Sequence, residues 1–146
     1  MPAENVQIAR SGYELLAAGD LDRVLEIIDP DITIEVHTGR PDLPETRTLH
    51  GHAGFRENLG ALLEVFEDIE VTPESFTDLG EQLVVEVHTV GHGRASGIRI
   101  ENRIVHIWTI REGRATRFRV YGTREEALAA LGLAEEDIPA DARQPD

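Results

Sequence analysis

Two extended runs on either side of Arg111-Glu112-Gly113 constrain this chain more than any other feature. Ile98 to Ile110 and Ala115 to Gly122 are rich in β-branched and aromatic residues, and the glycine-closed triplet between them turns the chain back on itself. Thr123, with Glu126 three residues later, then forms a capping box for a helix that Gly132 ends. Two long strands followed at once by a capped helix commit the chain to an architecture of both α and β elements.

The turn chemistry sets which side chains share a face. Glu112 precedes the glycine where a type I′ turn would favour Asn or Asp. A type I turn closed by a left-handed glycine with a G1 bulge is therefore expected. In that register Ile110 faces Arg114, Trp108 faces Thr116, His106 faces Phe118 and Ile104 faces Val120. Ile104, His106, Trp108, Phe118 and Val120 then point inward, while Val105, Ile107, Arg117, Arg119 and Tyr121 point outward. A two-residue turn alone would put His106 and Trp108 beside Arg117, Arg119 and Tyr121, burying two arginines without partners.

Upstream, Val6, Ala9, Tyr13, Leu16 and Ala17 recur at helical spacing from about Glu4 to Ala18. Asp20 caps a second short helix carrying Leu21, Val24, Leu25 and Ile28, which Asp29-Pro30 stops. Asp31 to His37 alternates as a strand, with Ile32, Ile34 and Val36 on one side. Thr38 to His52 reads as a loop long enough to form a rim or lid. Phe55, Leu59, Leu62, Leu63 and Phe66 mark a third helix. Strands follow at about Ile69 to Asp78 and Gln82 to His92, ahead of the hairpin. The expected fold is α+β: a cone-shaped, curved antiparallel sheet wrapped on three helices, with a short C-terminal helix. Residues 1–133 form this single domain, and residues 134–146 an acidic, flexible tail.

Composition excludes several function classes. The chain has 28 acidic and 14 basic residues among 146, a formal net charge of −14. A field of that sign repels phosphate backbones and anionic lipid, so neither nucleic acid nor membrane is an expected partner. No cysteine is present, so disulfides and thiolate chemistry are ruled out. The absence of a secretory leader and of any bilayer-length apolar run makes the cytoplasm the expected location.

A curved sheet with three helices on its concave side leaves room for a pocket. The residues expected to line it are Tyr13, Leu16, Ile34, Val36, Phe55, Leu59, Phe66, Ile104, His106, Trp108, Phe118 and Val120. His106 is the candidate catalytic group. Burial would keep its imidazole neutral, as a general base or hydrogen-bond donor, with Tyr13 as its polar partner. The plainer reading is a core histidine bonded to Tyr13 or to a backbone carbonyl. The remaining histidines include His50-Gly-His52, His37 beside Glu35, and His88 with His92. None brings three ligands together by spacing, so no metal and no cofactor is expected.

Several motifs carry a family resemblance. These are Gly19-Asp-Leu-Asp22 after the first helix, Asp29-Pro-Asp31 before the first strand, Gly93-Arg-Ala-Ser-Gly97, His106 through Arg114, and Arg117-Phe-Arg-Val-Tyr121. Over residues 4 to 133 the chain resembles the SnoaL-like polyketide cyclase group of the nuclear-transport-factor-two-like superfamily. That superfamily also holds ketosteroid isomerases and limonene-type epoxide hydrolases. The resemblance implies a small hydrophobic ligand and a homodimer through the convex sheet face, where Val105, Ile107 and Tyr121 lie among charged residues. Glu86, His88, Arg99, Glu101, Arg103, Arg117 and Arg119 are expected to decorate that face as cross-strand charge pairs.

The family's catalytic carboxylates do not carry over. The inward histidine of the cyclases matches His106, but the last-strand aspartate of cyclases and epoxide hydrolases falls on Val120. The basic aspartate of the isomerases falls on Val36, their tyrosine nearest Gly12 beside Tyr13, and their protonated aspartate at Val105 or His106. Two readings follow: an isomerase, cyclase or hydrolase acting on a hydrophobic carbonyl or epoxide compound, or a non-catalytic binding or dimerisation domain.

Overall fold

A computed structural model describes residues 2–37 and 47–145. Helix α1 (Pro2–Ala17) leads through Gly19 to α2 (Leu21–Glu26), whose N-terminus is capped by the Asp20 carboxylate accepting from the Arg23 amide. Strand β1 (Ile28–Val36), strand β2 (Arg47–His50) and helix α3 (Gly51–Val65) follow. Then come β3 (Glu70–Asp78), β4 (Gln82–His92), β5 (Arg99–Arg111), β6 (Arg114–Tyr121), α4 (Arg124–Ala130) and a last strand β7 (Arg143–Pro145). The seven strands form one sheet in the order β2-β1-β6-β5-β4-β3-β7, in which only β1 and β6 run parallel. This is the expected α+β cone, with one parallel pair in place of a purely antiparallel sheet.

Two apolar clusters fill the concave side. Val6, Ala9 and Tyr13 of α1 pack on Phe76, Leu83, Val85 and Val87. Val24, Leu25 and Phe55 pack on Ile28, Ile32, Ile34 and Phe118. A third cluster lies on the convex side, where Ala127 and Leu128 of α4 cover Val84, Val105, Ile107 and Tyr121. The apolar component that pointed to a partner subunit is thus covered within the chain, and Ile107 has no exposed surface.

The hairpin differs from expectation in register and agrees in facing. Glu112 and Gly113 both have positive φ, at 52° and 79°, and Arg111 pairs with Arg114. The loop therefore has two residues with type I′ character, and Glu112 bears the strain that Asn would avoid. By itself this turn would send His106 outward. A bulge corrects it: Thr109 pairs with Arg117 and Ile110 with Ala115, which leaves Thr116 as an extra residue on β6. His106 consequently faces Val120 and Trp108 faces Phe118, two residues from the expected pairing but on the expected side.

Other boundaries moved for identifiable reasons. β1 begins at Ile28 and carries Asp29-Pro30 within it, at an irregularity between Ile28 and Thr33 where a proline is tolerated. The end of the expected loop forms β2 and starts α3 at Gly51, while residues 38–46 lie outside the described residues. The tail, expected to be flexible, instead forms two short 3-10 turns and adds β7 to the edge of β3. Arg124 holds it by bonding Glu135, and Arg143 bonds Glu86. Among the charges expected on the convex face, Arg117 pairs with Glu35, His88 with Glu101 and Arg103 with Glu74. Arg119 departs from that pattern: it is buried, and its Nε and Nη2 meet no acceptor among the described residues. No helix among the described residues is long and apolar enough to cross a membrane.

Candidate functional site

The concave side of β5 and the three helices enclose a cavity of about 260 Å³. Helix α1 supplies Ile8, Gly12, Tyr13 and Leu16, α3 supplies Phe55, Asn58, Leu59 and Leu62, and the sheet supplies Ile104, His106, Trp108, Phe118 and Val120. Val36 and Phe66 complete the expected set, with one exception. Ile34 faces the same way but has no exposed surface, being packed into the cluster under α3. Alternation along a strand tells direction and not depth, so this residue could not be separated from its neighbours by pattern.

His106 sits near the centre of the sheet, opposite Val85 on β4 and Val120 on β6. Trp108 Nε1 lies 2.7 Å from the Tyr13 hydroxyl, which lies 2.7 Å from His106 Nδ1. An indole N–H can only donate, so the Tyr13 oxygen accepts from Trp108. The phenol hydrogen then goes to Nδ1, and the imidazole carries its own proton on Nε2. Nε2 makes no hydrogen bond to a described residue and is not sealed within packed atoms. The relay Trp108 to Tyr13 to His106 therefore ends in an unengaged N–H donor at the cavity wall.

Aromatic packing fixes the imidazole. Its ring lies nearly parallel to Tyr13 at 5.9 Å between centroids and edge-on to Phe118 at 4.7 Å. Phe118 in turn stacks on Trp108 at 4.1 Å. Burial pulls the His106 pKa down to about 3, because a charged imidazole would be stripped of water without a counter-ion. Burial also pushes the Tyr13 phenol up, against the smaller lowering effect of its bond from Trp108. Burial thus favours the neutral form of both groups, which leaves the His106 imidazole with a single N–H, on Nε2.

Among the described residues no carboxylate, lysine or arginine lines the cavity, and His106 is its one titratable nitrogen base. Val120 and Val36, paired with each other, form one cross-strand row with His106. The two positions to which the family resemblance assigns carboxylates are thus brought beside the imidazole as aliphatic wall. Other histidines are drawn into separate contacts. His52 Nε2 lies 2.7 Å from the Ile28 carbonyl, His88 bonds Glu101, His92 bonds Asp68, and His37 stacks on Tyr121. No group of three potential metal ligands converges among the described residues.

Sequence reasoning missed Asn58, Thr89 and Asn102, which also line the cavity. Asn102 shares the inward alternation of Ile104 and His106, a signal that was available. Asn58 lies one residue before Leu59 on the face that α3 turns to the sheet.

Comparison with known proteins places this geometry. A family model described as a SnoaL-like domain matches residues 9–118. An NTF2-like protein of unknown function from Burkholderia pseudomallei has 25% identity and a TM-score of 0.72, over 86% of this chain and 95% of that one. TerC, co-crystallised with polyporic acid, has 25% identity and a TM-score of 0.71, over 89% and 97%. SalBIII, described as an epoxide hydrolase/cyclase-like enzyme in salinomycin pyran ring formation, has 18% identity and a TM-score of 0.66, over 85% and 95%. No curated protein matches significantly in sequence.

Proposed function

The chain belongs to the SnoaL-like domain family, and from that premise we propose that it binds a small, apolar, uncharged molecule through an acceptor oxygen. His106 Nε2 donates to that oxygen, which a carbonyl or an epoxide would provide. One observation carries the reading: the hydrogen-bond relay ends in an unengaged donor in a cavity whose described lining holds no carboxylate, lysine or arginine. Buried polar groups need partners, and a ligand oxygen would complete this chain of bonds. A structure of the same fold, TerC, was co-crystallised with polyporic acid, which supports a small-molecule role.

The same donor favours a catalytic extension of limited scope. A neutral N–H at a dry site polarises a carbonyl or epoxide oxygen and stabilises negative charge developing there. Among the described residues no carboxylate lines the cavity to act as a base, Val36 and Val120 standing where the resemblance would put one. Electrophilic assistance to an isomerisation, cyclisation or ring opening is the reaction class consistent with these residues.

Trp108 is the sole tryptophan and lines the cavity, so its fluorescence reports occupancy. Titration with 2-acetylnaphthalene and with 2-isopropenylnaphthalene, in which a methylene replaces the carbonyl oxygen, isolates the donor. The ketone should bind about three- to tenfold more tightly, the worth of one neutral hydrogen bond. His106→Leu should erase that preference while both compounds still bind. Equal affinity of the two compounds for the unsubstituted protein would refute the reading. A screen of enolisable ketones and epoxides with both proteins tests the catalytic extension, which requires turnover that His106→Leu removes.

A further inference from the structure

Among the described residues, the convex face of the sheet holds a buried charge without a counter-charge. Arg117 and Arg119 project from the same side of β6. Arg117 grips Glu35 through Nε and Nη2, with contacts of 3.2, 2.8 and 2.7 Å. Arg119 stands opposite Glu35 in the ladder, yet Arg117 already takes both carboxylate oxygens. The same two nitrogens of Arg119 are buried and meet no acceptor among the described residues, and the residue is only 4% exposed. Its Nη1 bonds no described residue either, but is not among the sealed atoms.

The surroundings make this arrangement costly. Arg119 faces Ile107 on β5, in the apolar cluster that Ala127 and Leu128 of α4 cover. A guanidinium keeps its proton, so unlike an imidazole it cannot relieve burial by becoming neutral. Thr109, paired with Arg117 and diagonal to Arg119, has a buried hydroxyl that also lacks a partner. Buried polar groups left unsatisfied at neighbouring positions call for an ion or a water. The Nε and Nη2 N–H bonds run parallel, a fork matched to the two oxygens of one carboxylate. Val84, Val105, Ile107 and Tyr121 on this face are all buried within the chain. A second copy would find little apolar surface there, which favours a free anion.

We propose that Arg119 anchors a second ligand site, on the face of the sheet opposite the cavity, that takes a small monocarboxylate. The carboxylate accepts from Nε and Nη2 of Arg119 as Glu35 accepts from the same nitrogens of Arg117. Phe118 and Val120, on either side of Arg119 in sequence, line the cavity, so the two sites lie back to back across β6. The assignment is independent of what the cavity binds.

Formate tests the site, with chloride at equal ionic strength as the reference. For a Kd of about 10 mM, about 100 mM formate should raise the thermal midpoint by about 3–6 °C over chloride. In 15N-labelled protein the Arg119 Nε–H signal, identified by its loss in Arg119→Lys, should shift and saturate with formate. Arg119→Leu should abolish the formate effect, and without formate should melt no lower than the unsubstituted protein, since it removes an unpaired buried charge. Arg119→Lys should lose the preference for formate over chloride, because an ammonium has no fork. Equal responses of the unsubstituted protein to formate and chloride would overturn the proposal and indicate an adventitious ion only. A formate response that survives Arg119→Leu would overturn it as well. So would self-association that Arg119→Leu weakens about tenfold in sedimentation with no formate response, which would assign the carboxylate to a second copy.

Discussion

Removing one oxygen atom, by Tyr13→Phe, should unbalance the inner wall of the cavity. Tyr13 is 6% exposed, and its hydroxyl is the shared atom of the Trp108 and His106 bonds. The phenylalanine ring keeps the packing on Phe76 and His106, so transfer and cavity terms nearly cancel. His106 Nδ1 becomes a buried acceptor without a donor, a loss of about 1–3 kcal/mol. Trp108 Nε1 is half-buried and reaches the cavity, so its loss is nearer an ordinary hydrogen bond, about 0.5–1.5 kcal/mol. The sum is about 1.5–4.5 kcal/mol. With a urea slope of about 2 kcal/mol/M, the unfolding midpoint followed by far-ultraviolet circular dichroism should fall by about 1–2 M. The two side chains act as a unit, so Tyr13→Phe should be at least about 1 kcal/mol less damaging in a His106→Leu background. A loss under about 0.5 kcal/mol, or strict additivity in the cycle, would refute the relay.

Two further outcomes follow from other features. The His106 pKa of about 3 lies below the 6.5 of an unfolded histidine, so between those values the unfolded chain binds the extra proton. This group's contribution is fully present above about pH 6.5 and is lost as pH falls toward 3. Urea titrations should show the unsubstituted protein losing about 2 kcal/mol more than His106→Leu between pH 7 and 5. Parallel pH dependence of the two proteins would contradict a neutral, buried imidazole. Glu112 holds φ at 52° in the hairpin turn, and Glu112→Asn should raise stability by up to about 1 kcal/mol. A lower thermal midpoint for that variant would argue against the two-residue turn.

What could be read from the residues was direction, and what could not was distance. Strand alternation has a period of two, so His106, Trp108, Phe118 and Val120 were assignable to one face even though their pairing was misjudged. The misjudgement had a local cause. Glu112 was expected to resist positive φ, yet the structure holds it there, and Thr116 carries no compositional sign of a bulge. Two departures, each shifting the register by one, left the facing intact.

The Thr123 cap of α4 was legible, but where the helix would lie was not. A helix of only seven residues buries Ala127 and Leu128, too few apolar positions to announce a docking face. The consequence was an exposed apolar strip on paper that the chain itself covers. β7 was invisible for a similar reason: three residues joined by ladder bonds and by Arg143 to Glu86 have no periodicity to detect. Asn58 and Asn102 line the cavity without a motif or a titratable group to mark them in the sequence.

The single extra residue at Thr116 makes the hairpin behave like a reading frame. A two-residue turn and a regular ladder would put an even number of residues between Trp108 and Phe118, and the bulge at Thr116 absorbs the odd one. Deleting Thr116 should leave a regular hairpin with Trp108 still opposite Phe118 and His106 opposite Val120, whereas losing the bulge with Thr116 kept would slip the ladder by one and bring Arg119 opposite His106. Sequences related to this chain should therefore be compared first by the length of that segment together with its bulge, and only then by whether a histidine occupies the position of His106. A histidine kept in the wrong frame would be a surface residue.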